Sequence, residues 1–165
     1  MQKYKAIIIG TSLTGKTTTI THLRKTTKLP LREIDEELTK ANGGTFPHDH
    51  IYKDIVLVPA VKTQILASDN IIFFTNAQYF TIEDLQKARQ KGLKIIQFFA
   101  DKEVLLQRNK QRMRDEGYED HSRWLDAMFA YQKEIKDKGL VDAVIETNKP
   151  VEDVAKELIT VLNKH

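Results

Sequence analysis

A glycine-containing loop between a short apolar run and a helix-forming segment constrains the fold more than any other part of this chain. The run Ala6-Ile7-Ile8-Ile9 is continuous and mostly β-branched, which is typical of a strand buried on both faces of a parallel sheet. The following residues 10–17, GTSLTGKT, fit the pattern G-x-x-x-x-G-K-[ST] at every defined position. A helix is predicted directly afterwards, from about Thr17 to Lys25. Since this pattern requires a preceding strand and a following helix, the sequence predicts a phosphate-binding loop.

The defined positions of this loop have separate physical roles. Gly10 permits the turn off the strand, and Gly15 lets the backbone approach the phosphates. Lys16 is expected to reach the β- and γ-phosphates, and the hydroxyl of Thr17 to ligate Mg²⁺, while backbone N–H groups complete the anion site. The alternative is a glycine-containing turn with an accidental lysine. The expected nucleotide-binding residues are Gly10, Thr11, Ser12, Leu13, Thr14, Gly15, Lys16, Thr17 and Thr18.

The rest of the chain alternates strand-like and helix-like segments. Further strands are predicted over residues 29–34, 70–75, 94–99 and 143–146, and helices over 81–91, 102–114, 122–138 and 150–162. Strands that alternate with helices imply βαβ units. The sequence therefore predicts an α/β fold with a five-stranded, mostly parallel sheet that is covered by helices on both faces. Ligands of such sheets bind beyond the carboxyl ends of the strands.

Two interpretations remain open for residues 51–67. The run Ile55-Val56-Leu57-Val58 has the composition of a short strand. The same residues also fit the first part of a helix that continues through Ala67 and is kinked at Pro59. We favour the helix.

Size and composition exclude several classes of protein. The chain has 165 residues, of which 41% are hydrophobic and 30% charged, as expected for a single globular domain over 1–165. The absence of cysteine excludes disulfides, thiolate metal sites and a cysteine nucleophile. No apolar run approaches the roughly 18 residues of a membrane helix, and the N-terminus lacks a signal-peptide pattern, so we expect a cytoplasmic protein without a membrane partner. The net charge of +3 is spread along the chain, which argues against nucleic acid as a partner.

The order of these elements resembles a known family. A phosphate-binding loop at the start, a short second strand, a helical region after it and an arginine-rich helix after the fourth strand resemble the P-loop kinases of the nucleoside-monophosphate kinase and shikimate kinase group. The resemblance covers nearly the whole chain. It implies a three-layer P-loop NTPase fold, ATP and Mg²⁺ as cofactors, an acceptor-binding region over about 35–67 and a mobile lid over about 107–121. It does not extend to Ras-type GTPases, because Asn148-Lys149-Pro150-Val151 lacks the aspartate of the N-K-x-D guanine motif.

Two arginines and one aspartate join Lys16 as catalytic candidates. Arg108 and Arg112 are four residues apart and share one helix face. The resemblance implies that they close on the transferring phosphoryl group, whose charge a guanidinium fork stabilises. The alternative is a solvated helix in which Arg112 pairs with Glu116. Asp35 follows the second strand, and the resemblance implies that it orients or deprotonates the acceptor hydroxyl, whereas the alternative is a carboxylate that only stabilises a helix N-terminus.

The third strand departs from the pattern of this family. It ends Phe73-Phe74-Thr75-Asn76, without the aspartate that many P-loop enzymes use to orient the magnesium shell. The last two residues of this strand and Asp35 are the alternatives for that role. The shikimate-type glycine triplet is also absent after the strand, which argues against shikimate as the acceptor. We interpret the two phenylalanines as core rather than as a base-stacking surface, and His48-Asp49-His50 as a polar loop rather than a metal site.

The sequence thus predicts an ATP- and magnesium-dependent kinase for a small molecule. The acceptor would be a hydroxyl or a phosphate, and a nucleotide or nucleoside is slightly favoured. The first alternative is a P-loop nucleotide-binding module or slow ATPase without an acceptor, which the missing strand-end aspartate suits. The second alternative is a polynucleotide-end kinase, against which the lack of an aromatic and basic groove argues.

Overall fold

A parallel five-stranded sheet forms the centre of the fold. The structure, a computed structural model, describes residues 2–11, 13–76 and 79–164. Within these residues the strands are β1 (Lys5–Gly10), β2 (Leu31–Glu33), β3 (Ile71–Asn76), β4 (Lys94–Phe99) and β5 (Ala143–Glu146). Their order across the sheet is β2-β3-β1-β4-β5, and every neighbouring pair is parallel. The predicted α/β fold is confirmed, with the strand before the phosphate-binding loop at the middle of the sheet.

Helices connect the strands and cover the sheet. Their bounds are α1 (Lys16–Thr26), α2 (Ile34–Ala41), α3 (His50–Tyr52), α4 (Val58–Ala67), α5 (Ile82–Gln90), α6 (Lys102–Glu116), α7 (Ser122–Asp137) and α8 (Val151–Leu162). A π-helical turn, Lys53–Leu57, joins α3 to α4. The second strand is shorter than the predicted 29–34, because Ile34 already opens α2.

Strand residues alternate between two hydrophobic cores. On one face of the sheet, Ile7, Ile9 and Phe73 pack with side chains of α2, α4, α5 and α7. On the other face, Ile8 and Phe74 pack with side chains of α1 and α8. All five strand side chains are fully buried, because helices on both sides leave neither face of the sheet to solvent. The chain therefore has the three-layer arrangement that the resemblance implied.

The segment 50–67 is helical, as favoured from the sequence, and the alternative strand is not formed. In the π-helical turn, the N–H of Val58 donates to the carbonyl of Lys53, five residues earlier. Pro59 follows immediately and has no N–H for a regular α-helical bond. The wider turn thus accommodates the proline at which the sequence predicted a kink.

Helix ends largely follow signals in the sequence, and the differences have local causes. Thr81 and Asp84 form a capping box at the start of the helix predicted over 81–91, in which the N–H of Asp84 lies 3.1 Å from Oγ1 of Thr81. Pro150 caps α8 instead of being its first residue. The buried face of α7 includes a polar residue, Gln132, whose Nε2 donates to the carbonyl of Phe98 at 3.0 Å.

Candidate active site

A cavity of about 830 Å³ opens at the carboxyl ends of the strands. Its walls come from the phosphate-binding loop, the first turn of α1, the junction of β2 and α2, the end of β3, helix α6 and the segment around β5 and α8. Parallel α/β sheets bind ligands at this edge. Its lining includes most of the predicted site residues, namely Leu13, Thr14, Gly15, Lys16, Thr17, Thr18, Asp35, Arg108 and Arg112.

The backbone path of the loop explains its two glycines. A Cβ atom on Gly10 would lie 2.6 Å from Oγ1 of Thr14, which is closer than packed atoms approach. Gly15 has a φ of +85° and forms the N-cap of α1, a conformation that glycine adopts without the penalty of a side chain. The hydroxyl of Thr14 donates to the carbonyl of Thr11 at 2.8 Å, across the loop. Ser12, which the sequence predicted to bind nucleotide, lies outside the described residues.

Leu13 has an unusual backbone conformation for a residue with a side chain. Its φ of 74° falls in the left-handed region, which costs a non-glycine residue roughly 1–2 kcal/mol. Its side chain is buried against Leu105 and Leu125, and this packing offsets the strain. Its carbonyl accepts a hydrogen bond from Nη1 of Arg108 at 2.7 Å. Leu13 therefore ties the loop to α6, a role that the sequence pattern does not reveal because this position is unrestricted in it.

The ammonium group of Lys16 is folded back onto its own loop. Its Nζ donates to the carbonyl of Gly10 at 2.9 Å and to that of Thr11 at 2.8 Å. Desolvation lowers the pKa of Lys16 to about 7, although the negative charges of Glu33 and Asp35 act in the opposite direction. An anion that replaces these two carbonyl partners would stabilise the charged form of Lys16 more strongly than the carbonyl groups do.

The first turn of α1 presents hydroxyl groups and free backbone donors to the cavity. Thr17 and Thr18 are exposed and line it. No acidic residue lies in this first turn, and the N-cap makes no side-chain hydrogen bond. The N-terminal N–H groups of α1 are therefore available to a phosphate, which the helix dipole also favours.

Two carboxylates lie at the junction of β2 and α2. Glu33 is the N-cap of α2, and its side chain accepts from the N–H of Asp35 at 2.7 Å and of Glu36 at 3.4 Å. Burial raises the pKa of Glu33 and of Asp35, and the charges of Lys16 and Lys53 partly counteract this for Asp35. Glu33 lines the cavity but was not among the predicted site residues. The sequence feature that could have identified Glu33 is its position as an acidic residue at the carboxyl end of a strand.

Arg108 bridges three parts of the site. It projects from α6 and donates to the carbonyls of Leu13 at 2.7 Å and Thr147 at 3.4 Å, while its guanidinium borders the cavity. Burial lowers its pKa, and the charge of Glu146 acts against that change. Arg108 therefore holds the phosphate-binding loop, α6 and the end of β5 together.

Arg112 lines the same cavity one helical turn later. Its Nε lies 3.6 Å from a carboxylate oxygen of Glu116, and its guanidinium lies 4.2 Å from the ring centroid of Tyr118. The ion pair that the sequence suggested as an alternative to a lid role is thus present on a residue that also faces the cavity. Exposed pairs at this spacing are weak, so phosphate oxygens would compete well for this guanidinium.

Comparison with solved structures shows which fold this is. The chain superimposes on shikimate kinase from Aquifex aeolicus vf5 with a TM-score of 0.69 at 22% identity, over 95% of this chain and 94% of that one. For shikimate kinase from Acinetobacter baumannii in complex with shikimate the TM-score is 0.73 at 16% identity, over 97% and 93%. This is the P-loop kinase fold. A gluconokinase from Sinorhizobium meliloti 1021 shares it with a TM-score of 0.63 at 15% identity, over 98% and 93%. No protein-family model and no curated protein matches the sequence.

Within this P-loop kinase fold, the cavity offers the oxygen donors that Mg²⁺ prefers. Thr17, Glu33, Asp35 and Asn76 supply hydroxyl, carboxylate and amide oxygens. The described part of the chain contains no group of three or more acidic, histidine or cysteine side chains that could hold a metal by itself. That arrangement fits magnesium, which usually keeps several waters and shares its ligands with substrate phosphates. Because β3 ends in Asn76 rather than in an aspartate, Glu33 and Asp35, at the end of the neighbouring strand β2, are the candidate carboxylate ligands for magnesium.

The remaining sequence candidates lie outside the chemistry of the cavity. Asp49 caps α3 by accepting from the N–H of Ile51 at 3.0 Å, so the His-Asp-His loop has a structural role there. Phe73 and Phe74 are fully buried. Beside them in the chain, Tyr79 is half-buried, and its hydroxyl lies 3.4 Å from Nζ of Lys53. Over residues 2–11, 13–76 and 79–164, none of the helices combines the length and apolarity needed to cross a bilayer.

Proposed function

We propose that the protein is an ATP- and Mg²⁺-dependent kinase that transfers the γ-phosphoryl group to a small acceptor molecule. The observation that supports this most is that one cavity contains both an anion cradle, formed by Lys16 and the N-terminus of α1, and the carboxylate of Asp35. A module that only binds nucleotide needs the cradle alone. The proteins that share the fold are named as shikimate kinases and a gluconokinase, which also supports a small-molecule kinase.

The phosphate side of this reaction requires charge neutralisation and positioning. Lys16 and the loop N–H groups would hold the β- and γ-phosphates, and Thr17 with Glu33 or Asp35 would hold the metal. Magnesium, when bound, would neutralise negative charge that develops on the phosphate oxygens. Arg108 borders the cavity while it braces the loop, and Arg112 would leave Glu116 for the transferring group. Residues 107–121 would serve as the lid that carries both arginines.

The acceptor side requires a group that orients a hydroxyl and accepts its proton. Asp35 is the candidate, because it opens onto the cavity and burial raises its pKa toward the range in which a carboxylate is a more effective base. Residues 35–67 would surround the acceptor. A hydroxyl or a phosphate of a nucleotide, a nucleoside or another small molecule is the acceptor that the sequence favours.

The decisive experiment supplies radiolabelled ATP and Mg²⁺ with nucleosides, nucleotides, sugars and an oligonucleotide. We expect transfer of label to a small molecule. Hydrolysis of ATP that no acceptor stimulates would instead identify an ATPase, and a labelled oligonucleotide would identify a polynucleotide-end kinase.

A pair of lysine variants links this activity to the cavity. Lys16→Ala should abolish transfer with an unchanged circular dichroism spectrum, because Lys16 neutralises charge at the reacting phosphates. Lys25→Ala removes the same charge from the exposed last turn of α1 and should keep activity. Near-native turnover in Lys16→Ala would contradict the proposal.

A further inference from the structure

The cations and the unpaired carboxylates of the candidate active site lie on different elements of the fold. The cations that line the cavity belong to the loop, to α6 and to the segment after β5, namely Lys16, Arg108, Arg112 and Lys149. Among them lies one carboxylate, Glu116, which pairs with Arg112. At the other end, the cavity is lined by Glu33 and Asp35, and neither carboxylate has a salt-bridge partner within the described part of the chain. The nucleotide phosphates suit the first end, so the acceptor meets the second.

The chain around the second end places no lysine or arginine in the cavity lining. Residues 32–67 contain six carboxylates against four lysines and arginines, although the whole chain has a net charge of +3. Each of these four cations lies between 2.5 and 3.8 Å from a carboxylate oxygen of the protein. The four are Arg32, Lys40, Lys53 and Lys62. None of these four cations lines the cavity.

Helix N-termini, the other common anion sites of a protein, are also occupied here. The side chain of Glu33 accepts from the first free N–H groups of α2, those of Asp35 and Glu36. The side chain of Asp49 accepts from the N–H groups of Ile51 and Tyr52 at the start of α3. A carboxylate or phosphate on the acceptor would therefore meet the carboxylate of Glu33 where the backbone donors of α2 would otherwise bind it.

We propose that the acceptor is a hydroxyl compound without a carboxylate or phosphate group, either a neutral polyol such as a nucleoside or a sugar, or an amine-bearing sugar. This inference rests on the proposed kinase function and narrows its substrate. It favours a nucleoside over a nucleotide, and it separates this protein from the shikimate kinase that was crystallised with shikimate, which is a carboxylate. An amine on the acceptor would be attracted by whichever of Glu33 and Asp35 does not hold the metal, whereas an anion would be repelled by it.

Matched acceptor pairs that differ in one charged group test the proposal. The pairs are a nucleoside and its 5′-monophosphate, glucose and gluconate, glucose and glucosamine, and methyl shikimate and shikimate, each with Mg²⁺ and labelled ATP. We expect the uncharged or amine-bearing member to have a kcat/KM at least about tenfold above the anionic member. A higher kcat/KM for the anionic members would overturn this inference and leave the kinase function standing. Hydrolysis of ATP without transfer to any member would overturn both.

Two Glu→Gln variants test whether the carboxylate of Glu33 causes the preference for neutral over anionic acceptors. Glu33→Gln removes one negative charge from the cavity but keeps an acceptor oxygen for the N–H groups of α2. Glu36→Gln is the control, because it removes the same charge from the same helix turn at a side chain that pairs with Arg24 at 2.7 Å and does not line the cavity. We expect the kcat/KM ratio of neutral to anionic acceptor to fall several-fold in Glu33→Gln and to stay unchanged in Glu36→Gln. Because the ratio is independent of overall activity, an equal ratio in both variants would overturn the proposal.

A second variant covers the case in which Glu33→Gln does not fold. Asp54 is exposed and lies 3.8 Å from Nζ of Lys53, whose charge acts on Asp35. Asp54→Asn removes the carboxylate partner of this ammonium group, which keeps its contact with the hydroxyl of Tyr79, without altering a residue that lines the cavity. The same ratio should fall, since the positive charge of Lys53 that acts on Asp35 is then less compensated, and an unchanged ratio would contradict the electrostatic argument.

Discussion

Nucleotide binding should take up a proton at Lys16. Desolvation lowers the pKa of this lysine to about 7 in the protein alone, whereas an ammonium group held by phosphate oxygens should titrate at or above its ordinary value of 10.5. At a pH between these two pKa values, Lys16 is mostly deprotonated in the free protein and protonated in the complex. Binding therefore requires protonation, and the affinity for ATP must fall as the pH rises through this window.

The size of this effect follows from the two pKa values. From about pH 7.5 to about pH 9, where the triphosphate itself is ionised, the Kd for an ATP analogue should rise about 25-fold. Calorimetry at about pH 8.5 in two buffers of different ionisation enthalpy should show an uptake of about one proton per nucleotide on the same grounds.

A variant whose residue 16 does not titrate in this pH range is the control for this prediction. Lys16→Arg keeps a positive charge that does not titrate below about pH 12, so its Kd should be weaker but nearly independent of pH. A Kd of the natural protein that stays constant from about pH 7.5 to about pH 9, without proton uptake, would refute the argument that burial depresses the pKa of this lysine.

Three further predictions concern the neighbours of Lys16. Leu13→Gly should be more stable than Leu13→Ala by about 1 kcal/mol in urea unfolding, because only the glycine relieves the positive φ, and the opposite order would contradict strain at this position. Thr17→Ala should weaken Mg²⁺-dependent activity, measured as a higher Mg²⁺ concentration for half-maximal turnover, and an unchanged Mg²⁺ profile would place the metal on other ligands. At least one of Arg108→Ala and Arg112→Ala should lower kcat at least ~100-fold with ATP affinity nearly unchanged, and loss of ATP affinity alone would limit them to ground-state binding. Arg114→Ala, an exposed change on the same helix, is their control.

The parts of the fold that were predictable are those with a local physical signal. The strand, loop and helix over residues 6–25 follow from a buried β-branched run and two glycines, and the capping box at Thr81 follows from three residues of sequence. The buried side of α7 was less predictable, since Gln132 is buried by a hydrogen bond to a strand carbonyl rather than by hydrophobicity.

The candidate site was predictable where its residues belong to one motif. Lys16 and Thr17 were predicted in this way, and both line the cavity. Arg108 was predicted for the site and also lines it, but its bracing of the loop was not predicted, because its partner carbonyls lie 95 and 39 residues away in the chain. Glu33 was missed because an acidic residue at the end of a three-residue strand has no distinctive pattern until the strand is placed beside the loop.

The π-helical turn at Lys53–Leu57 lies within the proposed acceptor region, and inserting or deleting one residue there would change the direction of the side chains before it. A π-helical turn contains one residue more than an α-helix needs over the same path. Deleting one residue there would remove the extra residue of the turn, and it would rotate the side chains of α3 by roughly 100° about the helix axis relative to α4. Lys53 would turn away from Tyr79, and the exposed apolar side chains of Ile51 and Tyr52 would take new directions, while α4 kept its packing on the sheet. A single insertion or deletion would thus change which side chains of α3 face the proposed acceptor region, while the core residues of α4 stay in place.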